Sequence, residues 1–289
     1  MYLIAESGST KCDWILVDQA GNYVDLYKTM GYNPFFHSSD FIQSDINAHK
    51  DIMHIANKVE RLYFYGAGCE NPTLNNIVKI ALEKTFVSAK VFVEHDMKAA
   101  AYSTFDGEPC ITCIIGTGSN SCFFDGQTIY EEVPALAYIL GDEASGSYLG
   151  KKLIAAYLYK KLPKEIEYDF DKEFGLTKED IFDRVYNKPH ANVYLASFTR
   201  FVGRHKEHPF INAFVMQGMR EFFEYHVKCY ENYQSVPVHF VGSVAFHFQE
   251  EMLLVAKEYG VNIGRIVKEP IMNLLEYHKK VQFQQEIAS

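Results

Sequence analysis

The stretch AESGSTKCDWILVD, residues 5–18, decides how the rest of the chain is read. An apolar run ends in Glu6, a Ser-Gly-Ser-Thr-Lys turn follows, and a second apolar run leads away. Strand-forming residues on both sides of a glycine turn predict a hairpin. A plain hairpin needs no acid, hydroxyls or amine at its tip. Glycine lets the backbone approach a ligand and lets N–H groups converge on an anion. Ser, Thr and Lys side chains add donors for phosphate oxygens.

Working outward, YVDLYKT predicts a third strand after the QAGN turn, and three strands on short turns predict an antiparallel meander. Ile42, Ile46, Ile52, Ile55 and Val59 follow helical spacing and predict a helix over 40–60. RLYFYGAGC predicts a buried strand ending in a Gly-Ala-Gly loop. Residues 73–85 predict a helix with Thr73 as N-cap. AKVFVEHD predicts a strand, and MKAAAYSTF the helix after it. The opening pattern then returns. CITCIIGTGSNSCFFDGQTIYEE reads strand, glycine turn, strand, turn, strand, with Gly8-Ser9 opposite Gly118-Ser119. That duplication predicts two related lobes. Beyond it, residues 148–162 predict a helix and 163–235 a mostly helical region rich in aromatics. VPVHFVGSVA predicts a strand entering a glycine turn, then the helix FHFQEEMLLVAKEYG. GRIVKEP is a last strand and 270–285 a last helix.

A chain of 289 residues suits two lobes, and 48% hydrophobic residues suffice for a sizeable core. With 28 basic and 37 acidic residues the net charge is −9, and no long basic run appears. That balance argues against nucleic acid as a partner, but not against a nucleotide held by local donors and a metal. No secretory signal is read at the N-terminus, and no apolar run of about 18 residues predicts a membrane span. The six cysteines sit mostly in apolar surroundings, which points to reduced thiols and the cytoplasm. Cys110 and Cys113 form a C-x-x-C, but on a strand positions three apart face opposite sides. They read as buried small residues. His205 and His208 have loose metal-like spacing with no acid or cysteine pattern to complete a site, and read as surface.

Three glycine turns each follow a predicted strand: Gly8-Ser9-Thr10-Lys11, Gly116-Thr117-Gly118-Ser119-Asn120 and Gly242-Ser243. None has the Walker A spacing. In this order they carry a resemblance. AESGSTKCDWILVD resembles the first phosphate loop of the sugar kinase, actin and heat-shock ATPase superfamily, IIGTGSNSCFF its second phosphate loop, and VHFVGSVA its adenosine loop. LGDEASGSYLGKKL, residues 140–153, is similar to the Gly-Asp-Glu-Gly-Ser segment of N-acetylglucosamine kinases and of the BadF/BadG/BcrA/BcrD ATPase family.

The resemblance implies an α/β fold of two actin-like (ribonuclease H-like) lobes. Each would be a mixed sheet of five-stranded type flanked by helices, with an ATP cleft between. The lobes would be 1–107 with 270–289, and 108–269. It implies ATP and Mg²⁺ as cofactors. Ser7, Gly8, Ser9, Thr10 and Lys11 would line the β- and γ-phosphates. Thr117, Gly118, Ser119 and Asn120 would cradle them from the other lobe, and Gly242 and Ser243 would meet the adenosine. Glu6 would hold the metal, in a place where the family usually has Asp. Asp96 would be the general base that takes the proton of the attacking sugar hydroxyl; its other reading is a helix N-cap. Asp142 and Glu143 would bind the sugar or order its pocket, or else cap the helix beginning near Ser145. Asn33 would sit in the sugar loop, or else make an Asn-Pro turn. The GAGC loop would touch the sugar or simply close its strand. His95 reads as packing. VPALAYIL replaces the Gly-Gly-Trp-Gly-like run of N-acetylglucosamine kinases, which predicts a reshaped acceptor pocket.

Three functions follow. The first is a kinase moving the γ-phosphoryl group of ATP to an amino sugar, N-acetylglucosamine or glucosamine, with a homodimer left open. The second is a BadF-type ATPase that activates a protein partner through a shared iron–sulfur cluster, against which the strand-like settings of the cysteines argue. The third is a non-catalytic nucleotide or sugar sensor.

Overall fold

The computed structural model describes residues 1–282, and it divides into two units. One is Met1–Asp106 with the segment from Glu269 onward; the other is Gly107–Lys268. In the first unit β1 (Tyr2–Ser7), β2 (Lys11–Val17) and β3 (Tyr23–Met30) form an antiparallel meander. β4 (Arg61–Gly66) and β5 (Lys90–His95) then add in parallel beside β1, giving the order β3-β2-β1-β4-β5. Alternation along the strands sorts the two faces. Leu3, Ala5, Cys12, Trp14 and Leu16 join one core with residues of α1 (Ser39–Ala48), α2 (Lys50–Ala56) and α3 (Pro72–Thr85). Trp14 centres it, with the rings of Tyr32, Phe64 and Phe86 at 6.3, 6.0 and 6.2 Å. The other face meets α4 (Asp96–Thr104) and a closing helix, Ile271–Tyr277.

Several helix boundaries differ from the sequence reading. The expected helix over 40–60 breaks at His49, whose backbone is extended, so that Ile42 and Ile46 of α1 and Ile52 and Ile55 of α2 all reach the core. α3 is capped by Asn71, whose Oδ1 accepts the N–H groups of Thr73 and Leu74. Pro72, with no N–H of its own to satisfy, takes the first helical position. Thr73 is therefore inside the helix. The closing helix continues as a π-helical turn over His278–Gln282, and the remainder of the expected 270–285 helix lies outside the described residues.

The second unit repeats the plan. β6 (Cys110–Ile115), β7 (Ser119–Phe124) and β8 (Ile129–Tyr130) form the meander, and β9 (Val238–Val241) and β10 (Ile263–Val267) add in parallel. The order is β10-β9-β6-β7-β8, the same succession as in the first sheet. Register makes the equivalence residue-specific. Ser7 lies opposite Gly66, and Ile114 lies opposite Val241, which brings Ile115 level with Gly242. Ser7 thus corresponds to Ile115, Gly8 to Gly116 and Gly66 to Gly242. The sequence pairing of Gly8-Ser9 with Gly118-Ser119 is displaced by two residues. It followed a repeated Gly-Ser dipeptide, whereas strand ends define the two three-residue turns as Gly8–Thr10 and Gly116–Gly118.

Between β8 and β9 run α5 (Ala137–Leu140), α6 (Gly146–Leu158), α7 (Lys164–Phe174), α8 (Lys178–Phe182), α9 (Ala191–Ser197), α10 (Thr199–Arg204) and α11 (Pro209–Phe222). Their aromatics build the core, with Phe170, Phe198, Phe201, Phe222 and Phe223 fully buried. After β9 the expected single helix is two, α12 (Ser243–His247) and α13 (Gln249–Tyr259), separated at Phe248. Cys110, Cys113 and Cys122 are buried in β6 and β7 and form no disulfide. No helix among the described residues is long and apolar enough to cross a membrane.

His278 gives the first unit a pH dependence. It is buried, and its Nε2 shares a 3.0 Å hydrogen bond with the Tyr65 hydroxyl. Burial pushes its pKa down from 6.5 to about 3. The folded state resists a proton that the unfolded state accepts, so this contribution is fully present above pH 6.5 and is lost as pH falls toward 3. The loss approaches about 1.4 kcal/mol per pH unit within that window. Urea unfolding of wild type and His278→Gln at pH 7, 6, 5 and 4 should show a shallower decline for the variant. Parallel curves would mean that His278 does not carry the effect.

Candidate functional site

In the first unit the strand register places Lys28, Asp13, Glu6, Tyr65 and Glu94 in one row across the sheet. Side chains in such a row share a face. Glu6 is half-buried near the end of β1, close to Asp96 and Asp13. Burial, then the charge of Asp96, then that of Asp13 push its carboxyl from 4.5 up to about 8. Asp13 is 1% exposed. Its Oδ2 receives the Lys11 amine at 2.8 Å, and its Oδ1 lies 3.6 Å from that of Lys28. Lys11 also reaches Oε1 of Glu269 at 2.7 Å, and these partners raise its pKa against the opposing effect of burial. A lysine and four acids are thus assembled at the β1–β2 turn.

The turn is held close to its neighbour. A Cβ on Gly31 would run into the backbone of Gly8, Ser9 and Thr10, so only glycine fits there. Ser7 is fully buried. Its hydroxyl accepts the Tyr32 N–H at 2.8 Å and donates to the Tyr32 carbonyl at 3.3 Å. That hydroxyl ties two loops together. Gly8 and Ser9 are partly accessible and Thr10 is exposed.

Asp96 is the first residue of α4 and is partly accessible. The N-cap position belongs to His95, not to Asp96. The His95 Nε2 lies 3.0 Å from Asp96 Oδ1, so His95 is a polar partner of the acid and not packing. Asn33 is buried, and its Oδ1 accepts the Phe35 N–H at 2.9 Å, which is the turn reading. The same oxygen faces Gly68 of the Gly-Ala-Gly loop, where φ is +77°. The two loops flagged separately in the sequence therefore meet.

In the second unit the GDE segment is fastened to the glycine turn. Asp142 Oδ1 accepts the Ser119 N–H at 3.1 Å, and its Oδ2 accepts the Ser147 hydroxyl at 3.4 Å. Burial pushes the Asp142 carboxyl up, partly offset by those two bonds. The Ser119 hydroxyl donates to the Glu143 carbonyl at 2.8 Å. The Gly146 and Ser147 N–H groups donate to the carbonyls of Gly116 and Thr117. A Cβ on Gly118 would come within 2.9 Å of the Asp142 carboxylate. Ser145, not Asp142 or Glu143, caps α6 through the Tyr148 N–H. Asn120 Oδ1 accepts the Ser121 N–H at 2.8 Å. Ser119 and Asn120 are buried, whereas Thr117 and Gly118 stay partly accessible. Glu143 pairs at 3.3 Å with buried His226. Burial pushes Glu143 up, but the His226 hydrogen bond, a backbone hydrogen bond and the charges of His226 and Lys151 together bring it below its usual value. Ala137, Asp142 and Ala144 all have positive φ, so the span from VPALAYIL into GDE is strained, with Leu136, Ile139 and Leu140 exposed. Gly242, at φ 124°, brings its backbone against Ile115 and Gly116 and ends β9, with Ser243 exposed at the start of α12.

Asp13, Glu269 and His226 belong to these clusters and were missed in the sequence, where His95 was read as packing. Asp13 did carry a signal, as an acid inside the otherwise apolar run CDWILV. His205 and His208 are partly buried and paired with Asp169 and Glu165 at 3.8 and 3.1 Å, so they are not simply surface residues. Between them, Glu207 offers a carboxylate oxygen within 4.8 Å of those of Glu250 and Glu251. Lys206 bridges the latter two at 2.9 and 3.2 Å.

Two like sheets, each with a glycine turn behind its first strand, define the actin-like sugar kinase fold, and comparison with solved structures agrees. A Porphyromonas gingivalis protein provisionally named an N-acetylglucosamine kinase is 36% identical over 98% of this chain and 100% of its own, with a TM-score of 0.91. The chain belongs to that protein's family, within the sugar kinase and actin-like ATPase superfamily. A Chromobacterium violaceum protein with the same provisional name is 13% identical, covers 96% of this chain and 99% of its own, and has a TM-score of 0.70. A ROK family glucokinase from Streptomyces griseus, solved with glucose and AMPPNP, is 14% identical, covers 97% and 99%, and has a TM-score of 0.55. These last two show the fold alone. No protein-family model and no curated protein matches the sequence.

Two substitutions test the turns. Gly242→Ala places a Cβ against the Ile115 carbonyl at a φ that L-residues avoid. It should cost about 1–3 kcal/mol or more in denaturant unfolding; a neutral effect would contradict the close approach. Asp142→Ala removes the acceptor of the Ser119 N–H and should speed amide exchange at Ser119. Unchanged exchange there would show that the carboxylate does not hold the turn.

Proposed function

We propose that this chain is an ATP-dependent kinase transferring the γ-phosphoryl group to a hydroxyl of an amino sugar, N-acetylglucosamine or glucosamine. The observation that carries the reading is the 36% identity, over nearly the full length, to the protein provisionally named for that activity. The chemistry of the two clusters supports it. Phosphoryl transfer needs donors on the phosphates, a metal and a positioned nucleophile. The partly accessible turn Gly8–Thr10 and the Lys11 amine supply donors in the first unit, and Thr117 and Gly118 in the second. Ser119 and Asn120 act by shaping the second turn, and Gly242 and Ser243 face the adenosine.

Mg²⁺ fits the first cluster. Glu6, crowded by Asp96 and Asp13 and pushed up to about 8, lies in a negative field that a cation would relieve. Mg²⁺ usually takes one or two carboxylates, phosphate oxygens and water. When bound it would neutralise charge on the phosphates. Asp96, oriented by His95, accepts the proton of the attacking sugar hydroxyl. That oxygen bonds to the γ-phosphorus as the bond to the ADP oxygen breaks. Asn33 and the Gly-Ala-Gly loop hold the sugar beside Asp96, while Asp142 and Glu143 act by ordering the second turn.

The test is ADP release with Mg²⁺ and ATP across a panel of hexoses and amino sugars. Release that depends on one amino sugar is expected. Release that no sugar accelerates would turn the reading to an ATPase serving a protein partner. Asp96→Asn should lower kcat by about 10²–10⁴-fold with little change in nucleotide affinity. Unchanged turnover would remove Asp96 from the mechanism.

A further inference from the structure

Lys11 is the cation of the first glycine turn, and its two partners differ in kind. Asp13 is an anchor: its side chain is 2% exposed, it sits on β2 two residues away, and it meets the amine at 2.8 Å. Glu269 comes from the far end of the sequence, where the chain re-enters the first unit. Its side chain is 48% exposed and meets the same amine at 2.7 Å. An ammonium has three N–H donors and offers no preference among anionic oxygens. The buried bond keeps Lys11 in place whatever happens on its outer side. The outer bond, to a carboxylate that water can solvate, is exchangeable.

Position adds a second argument. Gly66 and Gly242 are equivalent in the two sheets. Gly66 lies opposite His95, and Val241 lies opposite Val267, which brings Gly242 level with Lys268. The residue after His95 is Asp96, and the residue after Lys268 is Glu269. Glu269 is therefore the counterpart of Asp96 in the duplicated plan, a carboxylate just past the fifth strand. Asp96 stands beside His95, whereas Glu269 has closed on Lys11.

We propose that Glu269 is an affinity-setting residue: its carboxylate holds the outer side of the Lys11 amine until a nucleotide phosphate oxygen takes its place. Asp13 remains bonded throughout, so the exchange swaps one anion for another without moving the lysine. This inference rests on the kinase reading for its ligand. Glu269 competes for the Lys11 amine, so the wild-type protein binds nucleotide more weakly than the turn alone would allow.

Calorimetric titration with Mg²⁺ and AMPPNP, without sugar, tests it on wild type, Glu269→Gln, Lys11→Met and the double variant. Glu269→Gln should bind about fivefold tighter, the equivalent of the roughly 1 kcal/mol that an exposed ion pair is worth. The gain should vanish in the Lys11→Met background, because the competition runs through that amine. Glu269→Asp, which keeps the charge but loses reach, should also bind tighter than wild type, by a smaller factor. Unchanged or weaker binding by Glu269→Gln, or a gain that persists without Lys11, overturns the proposal while nucleotide binding by wild type stands. If wild type binds no AMPPNP, the phosphate-turn reading fails and the proposal goes with it.

Discussion

A carboxylate that is 1% exposed in the middle of a sheet must be answered by a cation, and Asp13 is such a group. Much of the first cluster depends on how it is answered. Lys11, at the start of the same strand, supplies one ammonium, and Lys28, opposite on β3, supplies a second at longer range. Meeting that demand directs the Lys11 amine back over β2 and fixes where the positive charge of the turn lies. The same acid, with Asp96, weighs on Glu6 across the β1–β2 pairing. One ion pair, buried on its acidic side, thus contributes both to local stability and to the electrostatics of the site.

The duplicated sheet order then sets the geometry around it. In a mixed sheet with three parallel strands, the carboxyl ends of those strands lie along one edge, where α/β folds collect their ligands. That edge gathers the Gly8 turn, the Gly-Ala-Gly loop and Asp96 in the first unit. In the second it gathers the Gly116 turn and Gly242. Glycines recur there because backbone passes against backbone: Gly31 against Gly8, and Gly242 against Ile115. The two units stabilise their turns by different means. In the first, the buried Ser7 hydroxyl clasps Tyr32. In the second, the GDE segment encloses the turn, and the strained backbone of Asp142 and Ala144 aims the acid at Ser119.

Much was legible in local pattern. Alternation and short turns marked both meanders, and the glycine turns marked where backbone must come close. The unexpected helix breaks and caps were not legible. His49 interrupts a run whose apolar spacing is compatible with one helix, and Asn71 wins the cap from Thr73 because Pro72 fits the first helical position. At the site, residue type identified Asp96 and Lys11 as chemical groups. It could not distinguish Ser7 and Ser119, whose hydroxyls are spent inside the fold, from Ser9 and Thr10, which remain accessible.

What the sequence by itself determined is the class of protein: two meanders with glycine turns in order, and acids and donors beside them. Those are properties of short segments, in which side-chain period and turn chemistry act over a few residues. What only the tertiary structure decided is which of those groups face one another. Asp13 with Lys11, Glu269 with the same lysine, and Asp142 with Ser119 are pairings made by strand register and by chain return over long separations. No local propensity encodes them, because burial and charge compensation are settled only when the sheets are assembled.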